Sequence, residues 1–191
     1  MMHEQESPAT SPASGRAWAN PARLLERIRS FRRSVEAPNS YDPAVHGSLV
    51  EASVSPPYEE LDRYWILEGL SLAVIARNTR TNQAEYLLFE PVLSEFEYEL
   101  LERLYDDLRD VLILDDHDLI ADRRTVLLRK IRGLLEEYGL TLDDASTFKL
   151  QYYLERNFLG WSRIDALMKD PQIEDISCDG TSIPLFLYHR R

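Results

Sequence analysis

The spacing of hydrophobic residues changes along the chain from a strand-like pattern to a helical one near residue 92. Residues 64–78, YWILEGLSLAVIARN, and residues 84–91, AEYLLFEP, are rich in branched aliphatic and aromatic side chains and flank a polar run, NTRTNQ. Such segments are typical of β-strands, and Pro91 cannot donate to a strand ladder. The pattern predicts two antiparallel strands, joined by a loop longer than the tightest hairpin turns, with the second strand ending at Pro91.

Three helices are predicted after Pro91, because apolar residues recur there at helical spacing. The first helix begins with a capping box of Ser94 and Glu97, and the second ends at Gly139, which suits a left-handed C-cap. A fourth, short helix in WSRIDALMKD stops before Pro171. The apolar stripes contain Phe96, Leu100, Leu104, Leu108 and Val111 in the first helix, Leu127, Ile131, Leu134 and Tyr138 in the second, and Phe148, Tyr152 and Leu159 in the third, where Glu155 interrupts the stripe and Leu154 and Phe158 help to orient the helix.

The last segment, IEDISCDGTSIPLFLYHRR, predicts a second strand pair. Glu174, Ile176 and Cys178 alternate with the residues between them and so share one strand face. Asp179 and Gly180 supply the predicted turn, while Pro184 limits the following strand to an edge or a strand start. Because an isolated hairpin is marginal in water, we expect this one to begin a further subdomain.

Together these elements predict an α+β protein. It contains an antiparallel strand pair, a bundle of three to four helices, and then the first hairpin of a second α/β subdomain that is cut short. Residues 1–20 are rich in Ser, Pro, Ala and Thr and are expected to be disordered, and the four prolines of residues 36–57 indicate a linker. We therefore divide the chain into a tail and linker (1–57), an α+β helical domain (58–168) and an incomplete subdomain (169–191).

Charge argues against nucleic acid as the main partner, because phosphate binding needs a basic face. The 191-residue chain has 22 basic and 33 acidic residues, for a net charge of −11, and only three of the basic residues are lysines. An acidic, lysine-poor surface is common in proteins from a high-salt cytoplasm. A GC-rich genome would also favour arginine over lysine. Adaptation to high salt and a GC-rich genome therefore both remain open as explanations.

Residues 21–35, PARLLERIRSFRRSV, combine an apolar stripe with a basic remainder. Leu24, Ile28, Phe31 and Val35 recur at helical spacing. A helix of this kind can lie on an anionic membrane or an acidic partner, although a solvated helix or a coil with incidental periodicity is the alternative. The predicted contact residues are the arginines of this segment, Arg23, Arg27, Arg29, Arg32 and Arg33. No apolar run reaches the length of a membrane span, and the N-terminus lacks the apolar core of a secretory signal.

No catalytic motif occurs in the sequence, so we expect neither enzymatic activity nor a bound cofactor. The glycines never satisfy the phosphate-loop pattern, and no nucleophile elbow or zinc-protease helix is present. The run DDHD at residues 115–118 is the one compact set of candidate metal ligands, but acidic loops are common and we expect no metal there. Cys178 is the only cysteine, which excludes internal disulfides and fits a reducing cytosol; we expect a buried structural thiol.

The most specific feature of the sequence is a resemblance to archaeal type II/type IV secretion ATPases, the motor family of archaellum and type IV pilus assembly. Residues 164–190, IDALMKDPQIEDISCDGTSIPLFLYHR, resemble the segment that leads into the family's second N-terminal subdomain. Upstream, EYLLFEPVLSEFEYELLERL resembles the family's tyrosine, Glu-Pro and following helix, and YYLERNFLGWSRIDALM resembles the helix and glycine that precede the Asp-Pro. The resemblance covers roughly residues 58–191. The motif residues are Asp170, Pro171, Glu174, Asp175, Ile176, Asp179 and Gly180.

This resemblance implies a hexameric cytoplasmic motor, held at the membrane by an integral platform protein, with this chain as a non-catalytic N-terminal module. ATP and Mg²⁺ are implied only for a RecA-like domain that would follow Arg191, so the chain would be a fragment or truncated product without catalytic residues. The alternative is a stand-alone adaptor or regulator that binds a platform protein or a full-length ATPase in trans through the helices of residues 94–168. A winged-helix DNA binder would share the helix-then-hairpin order, but the acidic charge argues against it.

Overall fold

The computed structural model describes residues 40–114, 122–181 and 183–190. The described strands form an antiparallel sheet of three, in the order β1–β2–β3, and a separate antiparallel pair, β4–β5. The prediction of a mixed fold with antiparallel strands and several helices is therefore confirmed. The elements in chain order are α1 (Pro43–His46), β1 (Tyr58–Leu67), β2 (Ser71–Asn78), β3 (Gln83–Phe89), α2 (Glu95–Leu114), α3 (Arg123–Glu137), α4 (Asp144–Phe158), a 3-10 turn (Ser162–Ile164), α5 (Asp165–Lys169), β4 (Ile173–Ser177) and β5 (Phe186–His189).

The first sheet has three strands, so the predicted strand pair is wrong in its count. The segment expected to form one strand turns back on itself at Gly69, which has a φ of +73°. There the Leu70 amide donates to the Leu67 carbonyl at 3.0 Å. Glycine adopts this left-handed conformation without the steric penalty of a Cβ atom. The residues before the turn form β1, the missed strand, which pairs antiparallel with β2.

Residues 40–57, which the prolines assigned to a linker, pack against the helices and the sheet. The Tyr41 ring meets Phe148 of α4 edge-on, with 5.3 Å between ring centroids. Val50 is only 7% exposed and shares a core cluster with Leu72 and Val74 of β2. This run therefore covers the sheet face that carries Leu72 and Val74, and it belongs to the packed part of the chain.

Helices α2, α3 and α4 share one hydrophobic core, and the predicted stripes of α2 and α3 contribute to it. In α4 the core residues are Leu150 and Leu154, whereas Leu159 of the predicted stripe is 41% exposed, so that stripe is wrong in part. Leu100, Leu104 and Leu108 are fully buried, and Leu127, Ile131 and Leu154 pack with them. Glu155, which interrupts the stripe of α4, instead pairs with Arg124 of α3 at 3.0 Å. Gly139 ends α3 with a φ of +66°, as its predicted C-cap role requires. The side chain of Val111 lies outside the described residues.

The C-terminal hairpin corrects three expectations. Residues 178–185 connect its strands, so Asp179 and Gly180 lie within a longer loop, because pairing resumes only after Pro184 at Phe186. The register shifts between Ile173 and Asp175, which breaks the predicted alternation. Cys178 follows the last residue of β4 and is exposed, so the expected buried thiol is wrong.

Two candidate segments fall outside the described residues: the arginine-rich residues 21–35 and the DDHD run at 115–118. Within the described ranges, no group of three or more His, Cys, Asp or Glu side chains is arranged to hold a metal ion. No helix in those same ranges is both long and apolar enough to cross a membrane.

Candidate functional site at the junction of sheet and hairpin

Asp170 is the motif residue that the fold buries, with 4% of its surface exposed. It follows α5 and has an extended backbone, with φ −76° and ψ 113°, so the helix ends here. Its carboxylate Oδ1 accepts from the Gln172 amide at 2.8 Å, and its carbonyl accepts from the Ile173 amide at 3.2 Å. Such side-chain-to-backbone bonds are typical of aspartate in turns. Asp170 therefore fixes the direction in which the chain leaves α5 and enters β4.

Two tyrosines from the three-stranded sheet converge on the other carboxylate oxygen of Asp170. Tyr64 of β1 and Tyr86 of β3 each donate their hydroxyl to Oδ2 at 2.6 Å. In the strand register Tyr64 lies opposite Ala73, and Tyr86 lies opposite Ile75. Ala73 and Ile75 are two apart on β2 and share a face. The carboxylate therefore lies on that face and bridges both outer strands of the sheet.

Both tyrosines are held in their neutral form at this site. Burial, followed by the hydrogen bond to the Asp170 carboxylate, raises the pKa of Tyr64 and of Tyr86 above the ordinary tyrosine value. The physical reason is that a phenolate here would be poorly solvated and next to a second negative charge. The two hydroxyls therefore act as permanent donors at neutral pH.

His189 connects the second strand of the hairpin to the same site. Its Nε2 lies 2.8 Å from the Tyr64 hydroxyl oxygen, and its ring centroid is 6.0 Å from that of Tyr64. The Arg190 amide donates to the Gln172 carbonyl at 2.9 Å, which closes the open end of the hairpin. We call Asp170, Tyr64, Tyr86 and His189 the Asp170 node. It contains side chains from both outer sheet strands, the end of α5 and β5.

The other motif residues lie on the hairpin and its loop rather than in the Asp170 node. Glu174 forms an exposed ion pair with Arg190 at 3.2 Å, and exposed pairs of this kind contribute little to stability. Ile176 is half-buried opposite Leu187. The remaining motif residues are exposed: Pro171, Asp175, Asp179 and Gly180.

A second carboxylate, Glu90, joins the end of β3 to α4. It accepts from the Tyr152 hydroxyl at 2.5 Å and from Arg156 Nη1 at 2.7 Å. The Tyr153 hydroxyl donates to the Pro91 carbonyl at 2.6 Å, and the Arg156 guanidinium lies 4.6 Å from the Tyr153 ring centroid. Burial, and then the nearby Glu90 carboxylate, raises the pKa of Tyr153 to about 12. The sheet and the helices are therefore joined through partly buried polar contacts.

A third carboxylate, Glu97, joins α2 to α4 through the predicted capping box. Glu97 Oε2 accepts from the Ser94 amide at 2.6 Å, and the Glu97 amide donates to Ser94 Oγ at 3.2 Å. From α4, Ser146 Oγ donates to Glu97 Oε1 at 2.8 Å, and Lys149 Nζ lies 3.3 Å from that oxygen. Burial opposes ionisation of Glu97, but the bonds from Ser94 and Ser146 and the Lys149 charge lower its pKa below the usual value.

These three carboxylates position the secondary-structure elements around them. Asp170, Glu90 and Glu97 each accept hydrogen bonds from donors on at least one other element. Glu90 and Glu97 are also paired with the cations Arg156 and Lys149. A catalytic or metal-binding carboxylate would keep acceptor capacity for a ligand. The arrangement in the described residues instead holds the sheet, the helices and the hairpin in fixed relation.

The sequence singled out Asp170 but not three of its partners. Tyr64, Tyr86 and His189 reach it from distant positions, with 106 residues between Tyr64 and Asp170 and 84 between Tyr86 and Asp170. Tyr86 and His189 lie in segments quoted for their family resemblance, which was the available signal. The arginines of residues 21–35 are not part of the described chain, so the structure does not place them.

Comparison with known proteins agrees with the resemblance in its coarse form. Residues 19–92 match the family described as "PilB3-like, N-terminal". This range contains all three strands of the first sheet, with Tyr64, Tyr86 and Glu90. The match fits the N-terminal region of a PilB-type pilus or secretion ATPase.

A curated relative was also found. The chain is 34% identical over 142 residues to the uncharacterized protein MJ1288 of Methanocaldococcus jannaschii, which covers 70% of this chain and 55% of that protein. The chain therefore spans about half the length of the curated relative it matches.

Proposed function

We propose that the chain is the non-catalytic N-terminal module of a type II/IV secretion ATPase that assembles a pilus or archaellum, and that it serves in partner docking and motor assembly. The match of residues 19–92 to the PilB3-like N-terminal family carries this proposal. The Asp170 node supports it, because it ties the matched sheet to the hairpin that resembles the start of the family's next subdomain. ATP and Mg²⁺ would belong to the motor domain of the complete protein.

Charge supports an integral membrane platform protein as the docking partner. Residues 41–191 hold sixteen basic and twenty-nine acidic residues. Cytoplasmic loops of membrane proteins carry an excess of Lys and Arg. An acidic module held against such loops would gain from electrostatic complementarity, chiefly in its association rate. A nucleic-acid partner would need the opposite sign of charge.

The docking proposal is tested by binding and hydrolysis assays on the purified chain. We expect it to bind peptides from the cytoplasmic loops of the platform protein in a salt-sensitive manner, and to release no phosphate from ATP above the buffer rate. Scrambled peptides of equal charge are the control. Equal binding of the loop peptides and the scrambled peptides would refute specific docking. ATP hydrolysis by the chain alone would refute the non-catalytic assignment.

A second candidate is a stand-alone adaptor or regulator that binds a platform protein or a full-length ATPase in trans. The size of the relative favours it: since 142 matched residues are 55% of MJ1288, that protein has about 260 residues, which leaves space for about one further ordinary domain. An adaptor must fold alone. Aggregation of the purified chain, or unprotected amides throughout residues 170–190, would count against it.

We also propose that the arginines of residues 21–35 contact anionic lipid and hold the module at the cytoplasmic face of the membrane. Each basic residue near such a surface contributes about 1 kcal/mol at low salt. The double variant Arg32→Gln/Arg33→Gln should therefore bind vesicles containing phosphatidylserine at least tenfold more weakly than the wild-type chain. Arg77→Gln/Arg80→Gln, at two exposed positions around the β2–β3 loop, is the matched control. Equal vesicle co-sedimentation of both variants would refute the lipid contact.

A further inference from the structure

The hydrogen atoms of the Asp170 node can be assigned from its donors and acceptors. The buried Asp170 carboxylate is an acceptor only, and Tyr64 has a single hydroxyl proton. The Tyr64 oxygen lies 2.6 Å from Asp170 Oδ2 and 2.8 Å from His189 Nε2. If Tyr64 donated to His189, two acceptor oxygens would face each other at 2.6 Å. Tyr64 therefore donates to Asp170, and the Nε2–H of His189 donates to the Tyr64 oxygen.

We propose that this directional chain, from His189 to Tyr64 to Asp170, is a latch that holds the C-terminal hairpin on the sheet and lets the hairpin detach as a unit when the His189 donor is lost. Asp170 precedes β4 and His189 ends β5, so the two ends of the hairpin meet at one tyrosine of β1. These contacts hold the hairpin where its strands begin and end.

The latch matters to the hairpin because two paired strands stabilise themselves only weakly. A two-stranded sheet is marginal in water without further strands or packing. Two large side chains of β5 are exposed, Phe186 at 55% and Tyr188 at 63%, while Leu187 between them is half-buried. Much of the apolar surface of β5 is therefore not buried against the sheet, and the polar contacts of the Asp170 node provide a large part of the attachment.

The effect of the latch on the coupling between the sheet and the next subdomain rests on the proposed function. In the proposed module the hairpin leads into the next subdomain, so a closed latch makes the three-stranded sheet move together with that subdomain. An open latch uncouples the two at residues 170–173. The latch is thus a conformational device between the sheet and the motor side of the protein.

The test is amide hydrogen exchange of the full chain in His189 and Tyr64 variants. His189→Leu and Tyr64→Phe should each accelerate exchange of the β4 and β5 amides about tenfold, because a hydrogen bond coupled to a charged group is lost. Exchange within β2 should not change. His189→Gln should stay near the wild-type rate, since its amide nitrogen donates from a position similar to Nε2. Tyr188→Phe, an exposed position on the same strand, is the matched control and should also stay near the wild-type rate.

The double variant Tyr64→Phe/His189→Leu should exchange no faster than the faster single variant, because both changes break the same chain of bonds. The latch is refuted if His189→Gln exchanges as fast as His189→Leu, if hairpin and β2 amides accelerate equally, or if no variant differs from wild type. This experiment needs only the chain itself. If the exchange experiment fails, the docking proposal is not affected. If the chain does not bind the platform protein but shows the expected exchange pattern, the latch proposal is not affected.

Discussion

Single carboxylates carry much of the contact between the elements of this protein. A buried carboxylate without partners is costly, and it is retained only where donors satisfy its oxygens. Asp170 accepts from two tyrosines and a backbone amide. Glu97 similarly accepts from the Ser94 backbone amide, the Ser146 hydroxyl and the Lys149 ammonium group. Each carboxylate is therefore tied to its place by several elements, and removing its charge should have effects beyond its own helix or turn.

Acid should weaken the contact that Glu97 makes. Its pKa is lower in the folded chain than the value of about 4.3 expected when unfolded. Its contribution to stability is therefore full above that unfolded value and is lost as the pH falls through the lowered folded pKa. We expect Glu97→Gln to reduce the free energy of unfolding by about 1–3 kcal/mol at pH 7, and by progressively less as the pH falls below 4.

The measurement is urea unfolding of both proteins at pH 7, 5, 4 and 3. Glu102→Gln, at an exposed position on the same helix, is the matched control and should track the wild-type chain. A constant difference between wild type and Glu97→Gln across this pH range would contradict the assignment of Glu97 as an ionised, paired group.

Residues whose role depends on near neighbours could be predicted from the sequence. Ser94 and Glu97 form the predicted capping box because the motif lies within four consecutive residues. The partners of Asp170 could not be predicted, because strand register and the docking of the hairpin decide which tyrosines reach it. Cys178 was mispredicted for a related reason: the end of β4 depends on its pairing with β5, and the cysteine falls one residue beyond it.

At the level of elements, one tight turn determines how the N-terminal run meets the sheet. Gly69 connects β1 to β2, and its carbonyl accepts from the Leu49 amide at 2.9 Å. A Cβ atom at this position would lie 1.8 Å from the Tyr41 hydroxyl oxygen. Glycine is required here by its positive φ and by this close approach.

Alanine substitutions at two glycines should therefore have opposite effects. Gly69→Ala should lower the free energy of unfolding by at least about 2 kcal/mol, from the left-handed backbone and the contact with Tyr41. Gly133→Ala, inside α3 with no atom within 4 Å of the added Cβ, should raise it by up to about 1 kcal/mol. Thermal and urea unfolding measure both. A neutral Gly69→Ala variant would contradict the turn geometry.

Helices were easier to predict than strands in this chain. The stripes of α2 and α3 are local patterns, and Leu100, Leu104, Leu108, Leu127 and Ile131 are buried as expected. The α4 stripe was predicted less well, since Leu159 is exposed. Strand β1 was missed because its charged residues, as in EELDR, interrupt the apolar alternation. Its edge position explains this composition, since an edge strand tolerates charge on its open side. The packing of residues 40–57 was also missed. Prolines indicate that a segment lacks regular secondary structure, but they do not indicate whether it packs against the rest of the chain.

At the scale of the whole molecule, the matched region and the motif region are physically joined. Residues 19–92 match the PilB3-like N-terminal family, and the tail motif begins at Asp170. Tyr64 and Tyr86 lie in the first of these regions and bind Asp170 of the second. The helices lie between them in sequence and attach through Glu90 and Glu97. The sheet, the helices and the hairpin are therefore linked by side-chain contacts of three carboxylates.

The central claim, that the chain serves a secretion ATPase as its N-terminal module, is tested most directly on the native protein. An antibody against residues 94–168 would isolate it from lysate of the source cells, and its mass and peptides would then be determined. We predict a product larger than 22.2 kDa by at least one ordinary domain of about 100–200 residues, whose peptides include a phosphate-binding loop. A 22.2 kDa product that co-precipitates with such an ATPase would favour the interpretation as a stand-alone adaptor. A product of that size without any associated ATPase would contradict the account.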